Sequence, residues 1–278
     1  LRSALRSQNP RTREAAALGL AEAEDPDSFR DLTTALKDSD PSVVRMAAYA
    51  LGELEDARAV KPLGSLLGSS DPATRATAAA ALGEIEDIRA VDRLKRLVDD
   101  DDPGVRLATV EALGEIEDYR ATSELSQALK DKDVRVRRAA AEALGEVEDR
   151  RAAGPLERAL ADPDPVVRRL AAQSLGELDG LERAPAQLVT ALNDRDVELA
   201  IIAARSLGEI GDTVAVPALA TAYRSDNPRM RYSVVSAIAE MDDGRGDDVL
   251  TSARQDRDQI VRHKAAEALR DRDDDHDD

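Results

Sequence analysis

Two leucine series run through this chain in step with one another. One falls at Leu20, Leu51, Leu82, Leu113, Leu144, Leu175, Leu207, Ile238 and Leu269, the other at Leu1, Leu32, Leu63, Leu94, Leu125, Leu156, Leu188, Leu219 and Leu250. Each steps by 31 residues, apart from a step of 32 where both pass the Asp179-Gly180-Leu181-Glu182 turn. A fixed period of this size is the mark of a repeat architecture, in which one supersecondary unit is copied and stacked.

Each unit divides into two helical halves. The first opens with Asp-Pro or a relative: Asn9-Pro10, Asp40-Pro41, Asp71-Pro72, Asp102-Pro103, Asp164-Pro165 and Asn227-Pro228. Asp and Asn are preferred N-caps, and proline suits the first helical position because its missing N–H would be unpaired there anyway. Apolar residues then follow at helical spacing, as in Val105, Ala108, Thr109, Ala112, Leu113 and Ile116, and the helix closes at a Glu-Asp pair such as Glu117-Asp118. The second half starts near Arg89-Ala90-Val91, carries Leu94, Leu97 and Val98 three or four apart, and ends in the Asp-rich turn that caps the next unit.

A lone hairpin cannot bury its apolar face, whereas stacked hairpins share a continuous core. The pattern therefore predicts an all-α, right-handed α-solenoid of antiparallel helical hairpins over residues 1–270. It would comprise a half-repeat (1–8), full repeats starting near 9, 40, 71, 102, 133, 164, 196 and 227, a terminal helix (258–270), and an acidic disordered tail (271–278). At ~9 Å per helix layer the stack would run about 70–80 Å. The glycine of Leu-Gly-Glu (Gly52, Gly83, Gly114, Gly145, Gly176, Gly208) lies inside the helical pattern, where it costs roughly 1 kcal/mol against alanine. Its recurrence calls for a packing reason, the close approach of a neighbouring helix. An arginine also recurs near the first-helix start (Arg13, Arg45, Arg75, Arg106, Arg137, Arg168, Arg231, Arg262). Its expected role is architectural, a guanidinium fork on the Glu-Asp turn of an adjacent unit. The unit starting near 196 breaks step: Asp196-Val197-Glu198-Leu199-Ala200 stands where Asp-Pro-x-Val-Arg belongs, and Ile201 and Ile202 follow. Its aliphatics are a candidate contact site.

The phrases Asp-Pro-x-Val-Arg, Ala-Ala-x-Ala-Leu-Gly-Glu-Ile and Arg-Ala-Val-x-x-Leu-x-x-Leu resemble the HEAT-like repeats first recognised in phycobilin lyases, through essentially the whole chain. The resemblance implies a solenoid with the second helices on the inner, concave face. It leaves function open, because the class includes bilin lyase subunits, deoxyhypusine hydroxylase and many archaeal and bacterial proteins regarded as protein-binding scaffolds.

Composition narrows those options. Aromatic residues make up only 2% of the chain, Phe29, Tyr49, Tyr119, Tyr223 and Tyr232, too few to line a tetrapyrrole pocket. The hydroxylases hold di-iron through His-Glu pairs, whereas the histidines here, His263 and His276, precede no glutamate. No cysteine is present, which excludes disulfides, thiolate metal sites and cysteine nucleophiles. The net charge of −18 argues against nucleic-acid and anionic-membrane binding. Acidic excess, few lysines and many alanines match a salt-accumulating, halophilic, archaeal-type proteome. With no apolar run of about 20 residues and no signal-peptide pattern, the expectation is a cytoplasmic protein, and the start at Leu1 points to a trimmed or partial chain.

Comparison of the units with one another shows where they differ. First helices repeat almost verbatim, while second helices vary around their leucine: Asp31/Thr33/Thr34, Lys61/Gly64/Ser65, Arg93/Lys95/Arg96, Glu124/Ser126/Gln127, Pro155/Glu157/Arg158 and Gln187/Val189/Thr190. Lys61, Arg93, Lys95, Arg96 and Arg158 form either a cationic stripe for an acidic partner or surface pairs with Asp92, Glu124 and Glu157. The candidate partner-binding set is Lys61, Arg93, Lys95, Arg96, Glu124, Gln127, Glu157, Arg158 and Thr190. The expected function is a non-catalytic protein-binding scaffold or adaptor, without cofactor or metal. The alternative is an auxiliary subunit of a lyase or modifying enzyme.

Overall fold

In a computed structural model the described residues, 1–23, 28–241 and 244–275, are helices and short turns with no strand among them. They group into two compact units, Leu1–Val147 and Glu148–Asp278. His276 and the last two residues lie outside the described range.

In the first unit the first helices are α1 (Pro10–Glu22), α3 (Pro41–Glu53), α5 (Pro72–Gly83), α7 (Pro103–Glu115) and α9 (Val134–Glu146). They alternate with the second helices α2 (Phe29–Ala35), α4 (Val60–Gly64), α6 (Val91–Leu94) and α8 (Thr122–Ala128), which are short and extended by 3-10 turns. The half-repeat at the chain start is one such turn, Ala4–Arg6, and not a helix. The expected caps are present: Oδ1 of Asn9, Asp40 and Asp102 accepts from the N–H of Arg11, Ser42 and Gly104 at 3.0, 2.9 and 2.8 Å. Asp133 caps α9 in the same way without a proline after it, through Arg135 N–H at 2.9 Å. Each first helix packs along the next, α1 on α3, α3 on α5, α5 on α7 and α7 on α9, with a second helix closing each pair. Both leucine series point into that seam. Leu32, Leu51, Leu63, Leu82, Leu94, Leu113, Leu125 and Leu144 are fully buried, each contributing about 1.5–3 kcal/mol. Leu1 is exposed.

The second unit repeats the scheme with α10 (Ala153–Ala159), α11 (Pro165–Glu177), α12 (Ala186–Ala191), α13 (Val197–Ile210), α14 (Val216–Ala222), α15 (Pro228–Met241), α16 (Asp247–Ala253) and α17 (Gln259–Asp275). The terminal helix runs past the expected end at 270 into the acidic run, because no Gly or Pro stops it there. The aliphatics of the irregular unit starting near 196 are less exposed than their sequence promised. Leu199, Ala200, Ala203 and Ala204 are core residues, while Ile201 and Ile202 are half-buried.

The recurrent arginine is architectural, but it grips a different partner from the one expected. Nη1 of Arg13, Arg75 and Arg106 donates to the carbonyls of Ser7, Ser69 and Asp100, six residues back, at 2.9, 2.8 and 2.8 Å. Nε and Nη2 fork onto an aspartate 25 residues ahead: Asp38 at 2.6 and 2.7 Å, Asp100 at 2.8 and 2.7 Å, Asp131 at 2.6 and 2.9 Å. These aspartates also accept the N–H of the N-cap residue two places on, as Asp38 does from Asp40 at 2.9 Å. One guanidinium thus ties the loop before its helix to the loop after the next one. The Glu-Asp turn is out of its reach, lying at the opposite end of the helix. In the second unit Arg231 makes the same clasp on Asp256, at 2.8 and 2.9 Å, with both side chains about 95% buried. The Arg13 fork holds the Asp38 carboxyl below the usual carboxylate range, and the Arg231 fork does the same to Asp256.

Where the arginine is missing, its aspartate is missing too. Val44 fills the slot in the second repeat, and Ser69 stands 25 residues on; Ala200 fills it in the seventh, and Ser225 stands 25 residues on. Arg45 lies one place out of step and reaches the N-cap Asp71 at 2.9 Å, as Arg169 reaches Asp196 at 2.9 and 2.8 Å.

The helical glycines answer to backbone approach. A Cβ on Gly83 would stand 2.8 Å from Cα of Ala112, and one on Gly208 would stand 2.7 Å from Cα of Ala237. The glutamate of the following Leu-Gly-Glu lays its carboxylate over the same spot, Glu115 over Gly83 and Glu240 over Gly208. Burial, then the charges of Glu84, Glu111, Glu146 and Glu86, push the Glu115 carboxyl up to about 7. Among the described residues four first helices end on a glutamate in the left-handed region, Glu55, Glu86, Glu117 and Glu148, with φ between 48° and 53°. The aspartate that follows each glutamate caps the next turn, as Asp56 does for Arg58 N–H at 2.9 Å.

Candidate partner-binding face

The nine candidate residues all lie on second helices or the turns that extend them. Lys61, Arg93, Lys95, Arg96, Glu124 and Gln127 belong to the first unit; Glu157, Arg158 and Thr190 belong to the second. The repeat geometry sets a rule for their contacts. The residue after each anchoring leucine faces the residue before the leucine of the next repeat. Arg2 meets Asp31 in this way at 3.8 Å, and Lys95 meets Glu124 at 3.0 Å while donating to the Arg120 carbonyl at 2.8 Å. Lys95 is therefore committed to its neighbour, and it leaves the candidate stripe. The second oxygen of Glu124 is buried without a hydrogen bond, while the pair as a whole stays partly open to water.

Between those two rungs the rule fails. Gly64 stands where a base stands in Arg2 and Lys95, and Arg93 stands where an acid stands in Asp31 and Glu124. The Arg93 side chain lies across the glycine, its Cδ 3.0 Å from where a Cβ on Gly64 would be. Lys61, one turn before Gly64, and Arg96, one turn after Arg93, are exposed as well. Among the described residues none of these three has an ion-pair partner. Asp92, a nearby acid that could have satisfied them, instead stands 3.8 Å from Arg120. Gln127 is engaged by Asp99 at 2.8 Å.

In the second unit Arg158 is exposed and has no ion-pair partner among the described residues. Glu157 does not hold it; its Oε1 accepts from the Gln187 N–H at 3.4 Å. Thr190 turns its hydroxyl back onto the Ala186 carbonyl at 3.0 Å, which leaves its methyl group outward. The structure thus separates a cationic group, Lys61, Arg93 and Arg96, from residues that serve the stack itself. The failed rung is legible in the sequence once residues 29 apart are compared, which the leucine register alone does not prompt.

The family model for HEAT repeats matches the chain over residues 1–69, 31–114, 60–139, 93–176, 122–196 and 185–270. The chain belongs to the HEAT-repeat family. No curated protein matches it. Among solved structures, this HEAT-repeat chain is similar to an engineered protein (23% identity, 96% of this chain and 86% of that one, TM-score 0.65). It is similar to the Escherichia coli protein YibA (20% identity, 91% and 96%, TM-score 0.60). It is also similar to the complex of CpcE and CpcF of phycocyanin lyase from Nostoc (24% identity, 88% and 94%, TM-score 0.51). These likenesses establish an all-α repeat fold. Among the described residues, no helix is long and apolar enough to cross a membrane.

Proposed function

We propose that the protein is a non-catalytic scaffold that holds a partner protein on its second-helix face. In the first unit, Lys61, Arg93 and Arg96 would take an acidic segment of that partner. The observation that supports this reading most is Arg93 opposite Gly64. The Arg2–Asp31 and Lys95–Glu124 rungs neutralise themselves, while this one places a guanidinium with no ion-pair partner among the described residues on a chain of net charge −18. Arginine left without a carboxylate offers five donors in a planar fork, suited to an incoming carboxylate. The protein partner of CpcE is CpcF in the complex named above, an example of a similar fold working through a protein contact.

Arg93→Glu/Arg96→Glu/Arg158→Glu tests the proposal by quantitative affinity capture from cells of the source organism at their own salt concentration. Proteins retained by the native chain should be lost by the variant, with melting temperature unchanged. Equal retention would remove the second-helix face from consideration.

A further inference from the structure

The first-helix side of the second unit carries a feature that the repeat does not require. Ile201 of α13, Pro228 and Tyr232 of α15, and Ile260 of α17 line an open cleft of about 330 Å³, with Arg229 and Asp258 at its rim. Ile260 is 67% exposed and Tyr232 39% exposed, on a chain with little aromatic content to spare. Val197, which takes the place of the usual first-turn proline, adds an exposed apolar side chain in the repeat of Ile201. Register shows that the lining is not inherited from the consensus. The slot of Ile201 and Tyr232 is held by Arg169 one repeat earlier, where it clasps Asp196. The slot of Ile260 is held by Glu198 and Arg229, which pair with one another across adjacent repeats. In the repeats just before, these two rows hold charged side chains in ion pairs; at Ile201, Tyr232 and Ile260 they are apolar, and they converge on one cleft.

Charge decides the occupant. Arg229 is spoken for by Glu198. The carboxylate of Asp258 accepts from the N–H of Ile260 at 2.8 Å and has no ion-pair partner among the described residues. The mouth is therefore negative, on a chain that is negative as a whole. Association of two copies through this cleft would bring like charges together. We propose that the cleft is a docking site for an apolar anchor side chain carried on a basic segment of a partner protein. It is a second interaction surface, independent of the cationic second-helix face and of opposite charge preference. A chain with both would bridge an acidic segment and a basic one, which is the work of an adaptor.

The test uses the full chain and a fluorescein-labelled peptide, Arg-Arg-Leu-Leu-Arg-Arg, in fluorescence anisotropy at low salt. Saturable binding is expected, weakened at least tenfold by Ile260→Ser, whose exposed side chain leaves folding intact, and unaffected by Arg93→Glu. A Glu-Glu-Leu-Leu-Glu-Glu peptide should not bind. Methyl NMR should place the basic peptide on the δ-methyls of Ile201 and Ile260. Equal affinity for a peptide with its leucines replaced by serine would overturn the proposal, and so would unchanged binding to Ile260→Ser. Sedimentation showing a dimer that Ile260→Ser dissociates would assign the cleft to self-association instead.

Discussion

Replacing Gly208 by alanine adds one methyl group at a point where two helices touch through their backbones. The new Cβ would lie 2.7 Å from Cα and 3.0 Å from Cβ of Ala237, and 2.6 Å from the Glu240 carboxylate. The carboxylate can swing away, but the Ala237 backbone cannot. Non-bonded carbons settle at about 3.5–4.0 Å, so α15 must recede from α13 by most of an ångström. Overpacking of this kind costs about 1–3 kcal/mol. Against it stands the helix-propensity gain of glycine to alanine, ~1 kcal/mol. The net expectation is a loss of up to about 2 kcal/mol, or up to roughly 4 °C in melting temperature for a chain of this size. Gly154 is the internal control. It begins a second helix of the same unit, and its Cβ would meet only Nη1 of Arg158, at 3.7 Å. Gly154→Ala should keep the propensity gain and raise stability by about 0.5–1 kcal/mol. Thermal and urea melts followed by far-UV circular dichroism would measure both. If Gly208→Ala stabilised the protein as much as Gly154→Ala, close approach of α13 and α15 would not be the reason for the repeated glycine.

Asp256→Asn should cost about 3 kcal/mol in urea melts, because it strands the buried Arg231 guanidinium and weakens the 2.6 Å bond from Tyr223. Glu115→Gln should remove a pH-dependent penalty. The folded-state carboxyl titrates near 7 against an ordinary 4.5, so the folded chain binds more protons than the unfolded one in that window, and stability falls as pH rises through it. The side chain is partly open to water, and screening reduces the effect to about 1 kcal/mol. Melting temperature of the Gln variant should therefore gain on the native chain between pH 5 and 8 and match it below pH 4. Glu117→Gly should raise stability by about 0.5–1 kcal/mol in the same melts, since φ is 53° there and the equivalent place three repeats later is Gly211, with φ 70°.

The hairpin repeat was open to reading because its signals are local and periodic. Asp-Pro caps, leucines three or four apart and a 31-residue step each follow from helix geometry alone. The partner of the recurrent arginine was not read, since Arg106 and Asp131 are neighbours only after two hairpins have stacked. The chain did hold the clue, in the paired losses Val44 with Ser69 and Ala200 with Ser225. The candidate face was half-read for a similar reason. Periodicity located the variable positions around each second-helix leucine, but only the packed rungs distinguish Lys95, committed to Glu124, from Arg93, committed to nothing. The repeat starting near 196 stands out in the sequence as irregular, and burial divides its aliphatics: Leu199 and Ala200 in the core, Ile201 at a cleft.

Site-specific photo-crosslinking tests the scaffold proposal most directly. A benzophenone amino acid placed at Arg96, on the cationic second-helix face, would be compared with one at the exposed Ala80 of first helix α5, in cells of the source organism. A discrete adduct from position 96, absent from position 80 and lost when Arg93 is reversed to glutamate, is the result expected of a partner held on that face. Adducts of equal yield from both positions, or an adduct indifferent to Arg93→Glu, would contradict it.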